Sequence, residues 1–202
     1  DLPRIARRQR QMCIRDSFTR DGIERVMRYA FELALTRPKK QLTLVTKSNA
    51  QRHGMVLWDE VFEKLKHDYP GITTDRMLVD AITTRMVLQP QSLDTIVATN
   101  LHADILSDLA AALSGSLGIG PTANINPERT FPSMFEPIHG SAFDLVGKDL
   151  ANPLGAFWSC VMMLEHLQEN KGASLLMSAI EEVCQEGQHL PIDLGGNSST
   201  GE

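Results

Sequence analysis

With 202 residues and 42% hydrophobic content, the chain is long enough to bury a core in one large domain or two small ones. Its net charge of -5 argues against a broad nucleic-acid-binding surface, and it lacks the apolar run of about 18 residues that a membrane-spanning helix needs. The N-terminus also lacks the apolar core of a signal peptide, so we predict a cytoplasmic protein.

The first seventeen residues differ from everything that follows. They carry five arginines and no periodicity, and they stop abruptly before a well-formed helical pattern. The heptapeptide QMCIRDS at 11–17 resembles the translation of a transposase sequencing adapter. We therefore expect residues 1–17 to be non-native and the native segment to begin near Phe18; a basic N-terminal arm is the alternative.

From Phe18 onward, helical and strand patterns alternate. The apolar spacing from Ile23 to Ala34 predicts a helix of about four turns that Pro38 ends. The segment QLTLVTK at 41–47 predicts a strand, and a second helix follows through Trp58 and Leu65. The segment DTIVATN at 94–100 predicts another strand, which leads into a helix.

The second half of the chain contains a long segment rich in Gly, Pro and Asn at 114–144. Its length and irregularity predict a binding-loop region rather than a simple connection. Two further helices are predicted at 152–167 and 172–185, and the last ten residues are polar turn residues. The three cysteines, Cys13, Cys160 and Cys184, have no paired spacing, so we predict buried, reduced thiols.

Three carboxylates are candidate metal ligands. Asp104 and Asp108 lie four residues apart in a helical pattern, where like charges cost about 0.2 to 0.5 kcal/mol even when solvated. Asp80 opens another predicted helix after an apolar run. Three carboxylates favour Mg²⁺ or Mn²⁺ over zinc, which prefers His or Cys. The neighbouring His102 is better explained as a packing residue or as a residue that supports the metal ligands without binding the metal. A solvated helix face is the alternative for the pair.

Several ordered motifs together resemble the metal-dependent β-decarboxylating dehydrogenases, the family of isopropylmalate, isocitrate and tartrate dehydrogenases. The segments TKSN and FPSMFEPIHGSAFD are most similar to the tartrate/D-malate branch. The motifs are VTKSNAQRHGMVLWDE, MLVDAITTRMVLQP, ATNLHADILSDLA, GSLGIGPTANINPERTFPSMFEPIHGSAFDLVGKDLANP and DLGGNSST.

The resemblance implies an α/β fold of the isopropylmalate/isocitrate dehydrogenase type, with mixed sheets flanked by helices and incomplete at both ends. Residues 18–115 would form mainly the central substrate and dimerisation domain. Residues 116–202 would form the C-terminal part of the NAD-binding large domain, whose N-terminal part is missing.

The resemblance also assigns catalytic and metal-binding roles. Lys47 matches the family's acid/base lysine, with Asn49 beside substrate and cofactor. Asp104 and Asp108 match metal ligands of one subunit, and Asp80 matches a catalytic aspartate that reaches the same metal from the partner subunit. The implied assembly is a homodimer with shared active sites, with Mg²⁺ or Mn²⁺ and a possible monovalent cation such as K⁺. His102 and Ala103 replace the Phe-Gly of many relatives.

The implied cofactor is NAD, although the chain has no G-x-G-x-x-G after a strand. Asp144 is the informative position, because a carboxylate accepts both ribose hydroxyls of NAD and repels the 2′-phosphate of NADP. Phe143 replaces the usual Pro beside it. The cofactor-binding positions, by resemblance, are Asn49, Gly118, Glu136, His139, Gly140, Ser141, Ala142, Asp144, Ala151 and Asn152.

The implied activity is NAD-linked oxidation, with decarboxylation, of a 2-hydroxy dicarboxylic acid. Tartrate or D-malate is expected, with 3-isopropylmalate as the alternative. The family's proton-donating tyrosine and substrate-clamping arginines belong to the missing N-terminal part, and neither Tyr29 nor Tyr69 lies in a matching motif. We therefore expect the 202-residue fragment to be inactive alone. A non-catalytic module that forms dimers or binds NAD is the non-enzymatic alternative. A Mg²⁺-dependent phosphotransferase is disfavoured, since neither a nucleophilic Asp nor a phosphate-cradling glycine loop is evident.

Overall fold

The computed structural model describes residues 18–202, so the predictions about residues 1–17 and about Cys13 lie outside the described residues. The chain divides into two compact units, one ending at Ala103 and the other covering Asp104–Glu202. From the sequence we predicted a domain boundary after residue 115. The roles predicted for the two domains remain predictions.

The first unit contains a parallel sheet with helices between its strands. The strand order is β2-β1-β3, and both neighbours of β1 run parallel to it. Parallel neighbours require crossover connections, which the intervening helices provide. The elements are α1 (Arg20–Thr36), β1 (Gln41–Thr46), α2 (Gly54–Leu65), β2 (Thr73–Leu78), α3 (Val79–Leu88) and β3 (Thr95–Val97).

The core of the first unit forms where α1 and α2 pack on β1. All residues of β1 after Gln41 are buried, as expected for a central strand covered by helices. Phe31 of α1 stacks on Phe62 of α2 at 5.5 Å between ring centroids and on Tyr69 at 4.6 Å. At the start of α1, the Thr19 hydroxyl accepts a hydrogen bond from the Gly22 amide, which caps the helix.

Helix α4 covers Asn100–Leu113 and carries the candidate metal ligands. The helix was predicted correctly, but its apolar residues are not all buried. Leu106 is buried, whereas Ile105 is 54% exposed and Leu113 is 47% exposed. Apolar periodicity therefore identified the helix without identifying which of its apolar side chains lie in the core.

The second unit is built on two long helices and a short hairpin. Helix α5 packs against α6 and against both strands of the hairpin. The hairpin pairs Thr122 with Glu136 in antiparallel register. In the described residues, parallel and antiparallel strands thus form separate sheets. The elements are β4 (Pro121–Asn124), β5 (Met134–Pro137), α5 (Leu154–His166) and α6 (Asn170–Glu186).

Two features of the second unit depart from the sequence predictions. The predicted buried thiols are wrong for Cys160 and Cys184, which are both free and exposed, because each falls on an outward-facing position of its helix. The segment predicted as an irregular loop contains β4 and β5, whose short length gave no alternating pattern. No helix among residues 18–202 is long and apolar enough to cross a membrane.

Candidate functional site

Lys47 and Asp80 meet at the carboxyl ends of two neighbouring strands. Lys47 directly follows β1, and Asp80 lies in the first turn of α3, directly after β2. The register pairs Thr46 with Leu78, so the two strands end side by side. The Lys47 Nζ donates a hydrogen bond of 2.6 Å to Asp80 Oδ1. The structure therefore brings together the two residues predicted to be catalytic.

The pair is partly open to solvent, with the Lys47 side chain 26% exposed and the Asp80 side chain 66% exposed. The hydrogen bond from Lys47 lowers the pKa of the Asp80 carboxyl below its ordinary value. A carboxylate that stays ionised beside an ammonium group holds that group in one orientation. Asn49 lies exposed in the turn after Lys47, within reach of solvent rather than of the core.

Asp104 and Asp108 lie one turn apart on α4, and both are exposed. Carboxylate oxygens on one helix face fit a hard cation such as Mg²⁺ or Mn²⁺, but two of them are too few to enclose one. Between Phe18 and Glu202, no group of three or more His, Cys, Asp or Glu residues is arranged to hold a metal. The donor chemistry therefore fits a site that takes further ligands from outside this pair. The neighbouring His102 is buried.

A cavity of about 610 Å³ lies within the second unit. Its volume falls in the range of about 300 to 1,000 Å³ that is usual for ligand sites. Six predicted cofactor-binding residues line it: Gly118, His139, Gly140, Ala142, Ala151 and Asn152. A neighbouring cavity of about 450 Å³ adds Ser141, so the structure gathers seven of the ten predicted positions around adjoining space.

Asp193 is a cavity residue that the sequence reasoning did not identify. Its Oδ2 accepts a hydrogen bond of 2.9 Å from Asn152 Nδ2 and another from the Ser116 hydroxyl. The same Ser116 oxygen accepts from the Gly118 amide at 2.8 Å. These contacts hold the side chain of Asn152 in place and put a carboxylate on the cavity wall. Asp193 is the first residue of the DLGGNSST motif, and that motif is the sequence signal that could have identified it.

Three predicted cofactor residues, Asn49, Glu136 and Asp144, lie outside the cavity lining. Glu136 is exposed on β5, and Asp144 is exposed in the short helical turn that follows Ala142. Ala142 has a left-handed backbone with φ of 41°, which is unusual for a residue other than glycine. This backbone conformation turns the chain between the cavity lining and Asp144.

The cavity combines apolar walls with polar groups concentrated at one place. Leu117, Leu145, Leu150 and Ile192 provide apolar walls, and the Asn152–Asp193 pair provides polar groups at one place. Mostly apolar walls with a few oriented polar groups are typical of cofactor sites. At Gly118, a Cβ atom would lie 2.6 Å from Asp193 Oδ2, so the polar pair requires a residue without a side chain there.

The family model described as isocitrate/isopropylmalate dehydrogenase matches residues 6–202. The chain therefore belongs to the isocitrate/isopropylmalate dehydrogenase family, and both the resemblance found in the motifs and the predicted fold class are confirmed. Among its relatives, a probable tartrate dehydrogenase/decarboxylase of Agrobacterium vitis is 65% identical over 183 residues, covering 91% of this chain and 51% of the relative. The decarboxylating D-malate dehydrogenase of Escherichia coli is 47% identical, covering 95% of this chain and 55% of that protein.

Solved structures agree with this assignment. The isocitrate dehydrogenase of Methylococcus capsulatus superposes with a TM-score of 0.86 at 42% identity, over 90% of this chain and 53% of that chain. The TT0538 protein of Thermus thermophilus gives a TM-score of 0.87 at 36% identity, over 92% of this chain and 37% of that chain. The chain spans about half the length of the curated relatives it matches.

Proposed function

We propose that the full-length protein containing this chain is a metal-dependent, NAD-linked dehydrogenase that oxidises and decarboxylates a 2-hydroxy dicarboxylic acid. Tartrate and D-malate are the proposed substrates, because the most similar relatives described above carry those names. The observation that carries the proposal is the contact of 2.6 Å between Lys47 and Asp80 at the ends of parallel strands, where α/β proteins place their chemistry.

The residues of this chain then have distinct tasks. Lys47 exchanges a proton with the substrate as acid and base, and Asp80 keeps the ammonium group oriented. Asp104, Asp108 and Asp80 would hold the divalent cation, which supplies polarisation of the substrate oxygen. The Asn152–Asp193 pair orients the nucleotide in the cavity, with Gly118 leaving room for both side chains.

The proposal includes preference for NAD and a shared-site homodimer. Asp144 would favour the free ribose hydroxyls of NAD and repel a 2′-phosphate. Lys47 and Asp80 of one subunit would complete the site that contains Asp104 and Asp108 of the other. Support for sharing comes from the number of ligands, since the two carboxylates of Asp104 and Asp108 are too few to enclose a hard cation.

A first test measures cofactor, metal and substrate dependence in the full-length protein. NADH formation should occur with tartrate or D-malate, disappear with excess chelator and return with Mg²⁺ or Mn²⁺. Full activity in excess chelator would refute metal dependence. Rapid turnover of 3-isopropylmalate with no turnover of tartrate or D-malate would refute the substrate assignment. NAD binding without any turnover would favour a non-catalytic module.

A second test measures how the site is assembled. Full-length Lys47→Ala and Asp108→Asn proteins, each inactive alone, are unfolded together and refolded as a mixture. With random pairing, half the dimers are mixed and each has one intact site, so recovery should reach roughly a quarter of wild-type activity. A mixture as inactive as its components, with mixed dimers verified by mass spectrometry, would refute the shared site.

A further inference from the structure

We propose that Asp59 is a positioning residue that fixes the turn carrying Lys47 and thereby sets the Lys47–Asp80 contact. Asp59 lies on α2 and is 9% exposed. Its Oδ2 accepts a hydrogen bond of 2.7 Å from the Ser48 hydroxyl and one of 3.0 Å from Arg76 Nη1. The geometric part of the inference stands on these contacts, and its catalytic consequence rests on the proposed function.

The contact with Ser48 acts on Lys47 because the two residues are adjacent. The Ser48 amide also donates to the Thr46 hydroxyl at 3.3 Å, and the Gln51 amide donates to the Lys47 carbonyl at 2.8 Å. The turn is therefore closed by local hydrogen bonds, and within residues 18–202 the Ser48 hydroxyl is the group that joins it by a hydrogen bond to a buried side chain on another element. That hydrogen bond determines where the turn sits relative to α2.

The contact with Arg76 acts on the other half of the pair. Arg76 lies on β2, whose last residue precedes the helix that begins with Val79 and Asp80. One oxygen of Asp59 thus holds both segments from which Lys47 and Asp80 project. The side chains of Lys47 and Asp80 lose conformational freedom when they meet. A backbone that is already fixed beneath both of them reduces this entropic cost.

Burial makes this arrangement sensitive to the loss of either donor. Among the described residues, Asp59 Oδ1 is buried and has no hydrogen-bond partner, so the two donors to Oδ2 provide the compensation for the charge. A buried carboxylate with fewer partners is unfavourable, and the surrounding segments shift to bring it a new donor or water. The turn that follows Lys47 is exposed, so we expect the shift to occur there.

The first experiment measures the position of Lys47 without requiring activity. Proton–nitrogen NMR of lysine ammonium groups detects a slowly exchanging Lys47 signal when the group is held by Asp80. We expect the signal in the unsubstituted chain and in Ser48→Thr, which keeps the hydroxyl. It should be lost in Ser48→Ala and Asp59→Asn, and Ser48→Ala keeps the test available if Asp59→Asn does not fold.

The matched control is Asp94→Asn. Asp94 is also a buried carboxylate paired with an arginine, Arg37, at 2.5 Å, but it precedes β3 at the opposite end of the sheet. Its substitution disturbs folding without touching the turn at Lys47, so the Lys47 signal should persist. Equal signals in Ser48→Ala, Asp59→Asn and the unsubstituted chain, or equal loss in Asp94→Asn, would overturn the inference.

The second experiment measures kinetics in the full-length protein. Substitution of residues that orient catalytic groups typically lowers activity by about 10- to 100-fold. We expect Ser48→Ala and Asp59→Asn to lower kcat by about that factor with little change in KM for NAD, and Ser48→Thr to restore kcat. Unchanged kcat in the folded variants would refute the positioning role. Absence of turnover in the unsubstituted protein would instead refute the proposed function, and the NMR comparison would still decide the position of Lys47.

Discussion

Two glycines of the large cavity should respond oppositely to the same substitution. Gly118 and Gly140 both line it, so each alanine variant adds one methyl group to the wall of the same cavity. At Gly118 that methyl would lie 2.6 Å from Asp193 Oδ2 and 2.8 Å from Asn152 Cβ. At Gly140 no heavy atom lies within 4 Å of the new carbon.

The expected change in stability depends on which groups the added methyl group displaces. At Gly118 the new contacts would be too short to be tolerated. The methyl group would meet the side chains of Asn152 and Asp193, which are joined by a hydrogen bond of 2.9 Å. Overpacking of this kind costs about 1 to 3 kcal/mol, and separation of the Asn152–Asp193 pair adds about 0.5 to 1.5 kcal/mol for a typical hydrogen bond. At Gly140 an alanine that causes no strain stabilises by about 0.4 to 1 kcal/mol through the unfolded chain.

The assay is native-state amide hydrogen exchange within the second unit. We expect the free energy of opening measured at α5 amides to fall by about 1.5 to 4.5 kcal/mol in Gly118→Ala and to stay equal or rise slightly in Gly140→Ala. The variant Asn152→Ala provides a comparison in which the polar pair is lost without a clash. Equal effects of the two glycine substitutions would refute the reasoning that the cavity wall at Gly118 is closed by that pair.

Three other perturbations test separate parts of the molecule. Phe31→Ala should lower the stability of the first unit by about 3 to 5 kcal/mol, whereas Phe143→Ala, at an 84% exposed position, should change stability by less than about 0.5 kcal/mol; urea denaturation that shows equal effects would contradict this. The Arg28 guanidinium lowers the pKa of Glu24, so Arg28→Ala should raise that pKa toward its ordinary value in a carbon-13 titration, and an unchanged pKa would exclude the cause. Because the folded-state pKa is lowered, the contribution of Glu24 to stability is present above its unfolded-state pKa and is lost as pH falls through the folded value. In the full-length protein, Asp144→Lys should erode the preference for NAD, and equal kcat/KM values for NAD and NADP before substitution would refute the proposed preference.

Lys47 and Asp80 were each identified from the sequence, but their contact was not. Pattern alone described Lys47 as a residue at a strand end and Asp80 as the start of a helix, and the motifs added the expectation of catalysis. Their pairing depends on the parallel register of β1 and β2, which aligns Thr46 with Leu78. That register is decided by packing between strands whose paired residues lie 32 positions apart in sequence, so the contact of 2.6 Å was outside any local pattern.

In the second unit, the sequence predicted the helices but not which of their side chains are exposed. Helices α5 and α6 were predicted because apolar spacing and chain breakers act within a few residues. The exposure of Cys160 and Cys184 depends on which helix face meets a neighbour, and composition favoured burial for both. Helical periodicity therefore predicted the elements correctly, whereas cysteine spacing and composition assigned the thiols to the wrong environment.

By itself, the sequence determined the family and the order of most helices and strands, because motifs, capping groups and periodicity are local properties of the chain. It also predicted ten cofactor-binding positions, of which seven line adjoining cavities. Only the tertiary structure brought Asp193 to Asn152 across 41 positions and Ser48 and Arg76 to Asp59. These contacts give the buried side chains of Asn152 and Asp59 their hydrogen-bond partners. The need for such partners is met only after the elements have packed, since burial itself creates it.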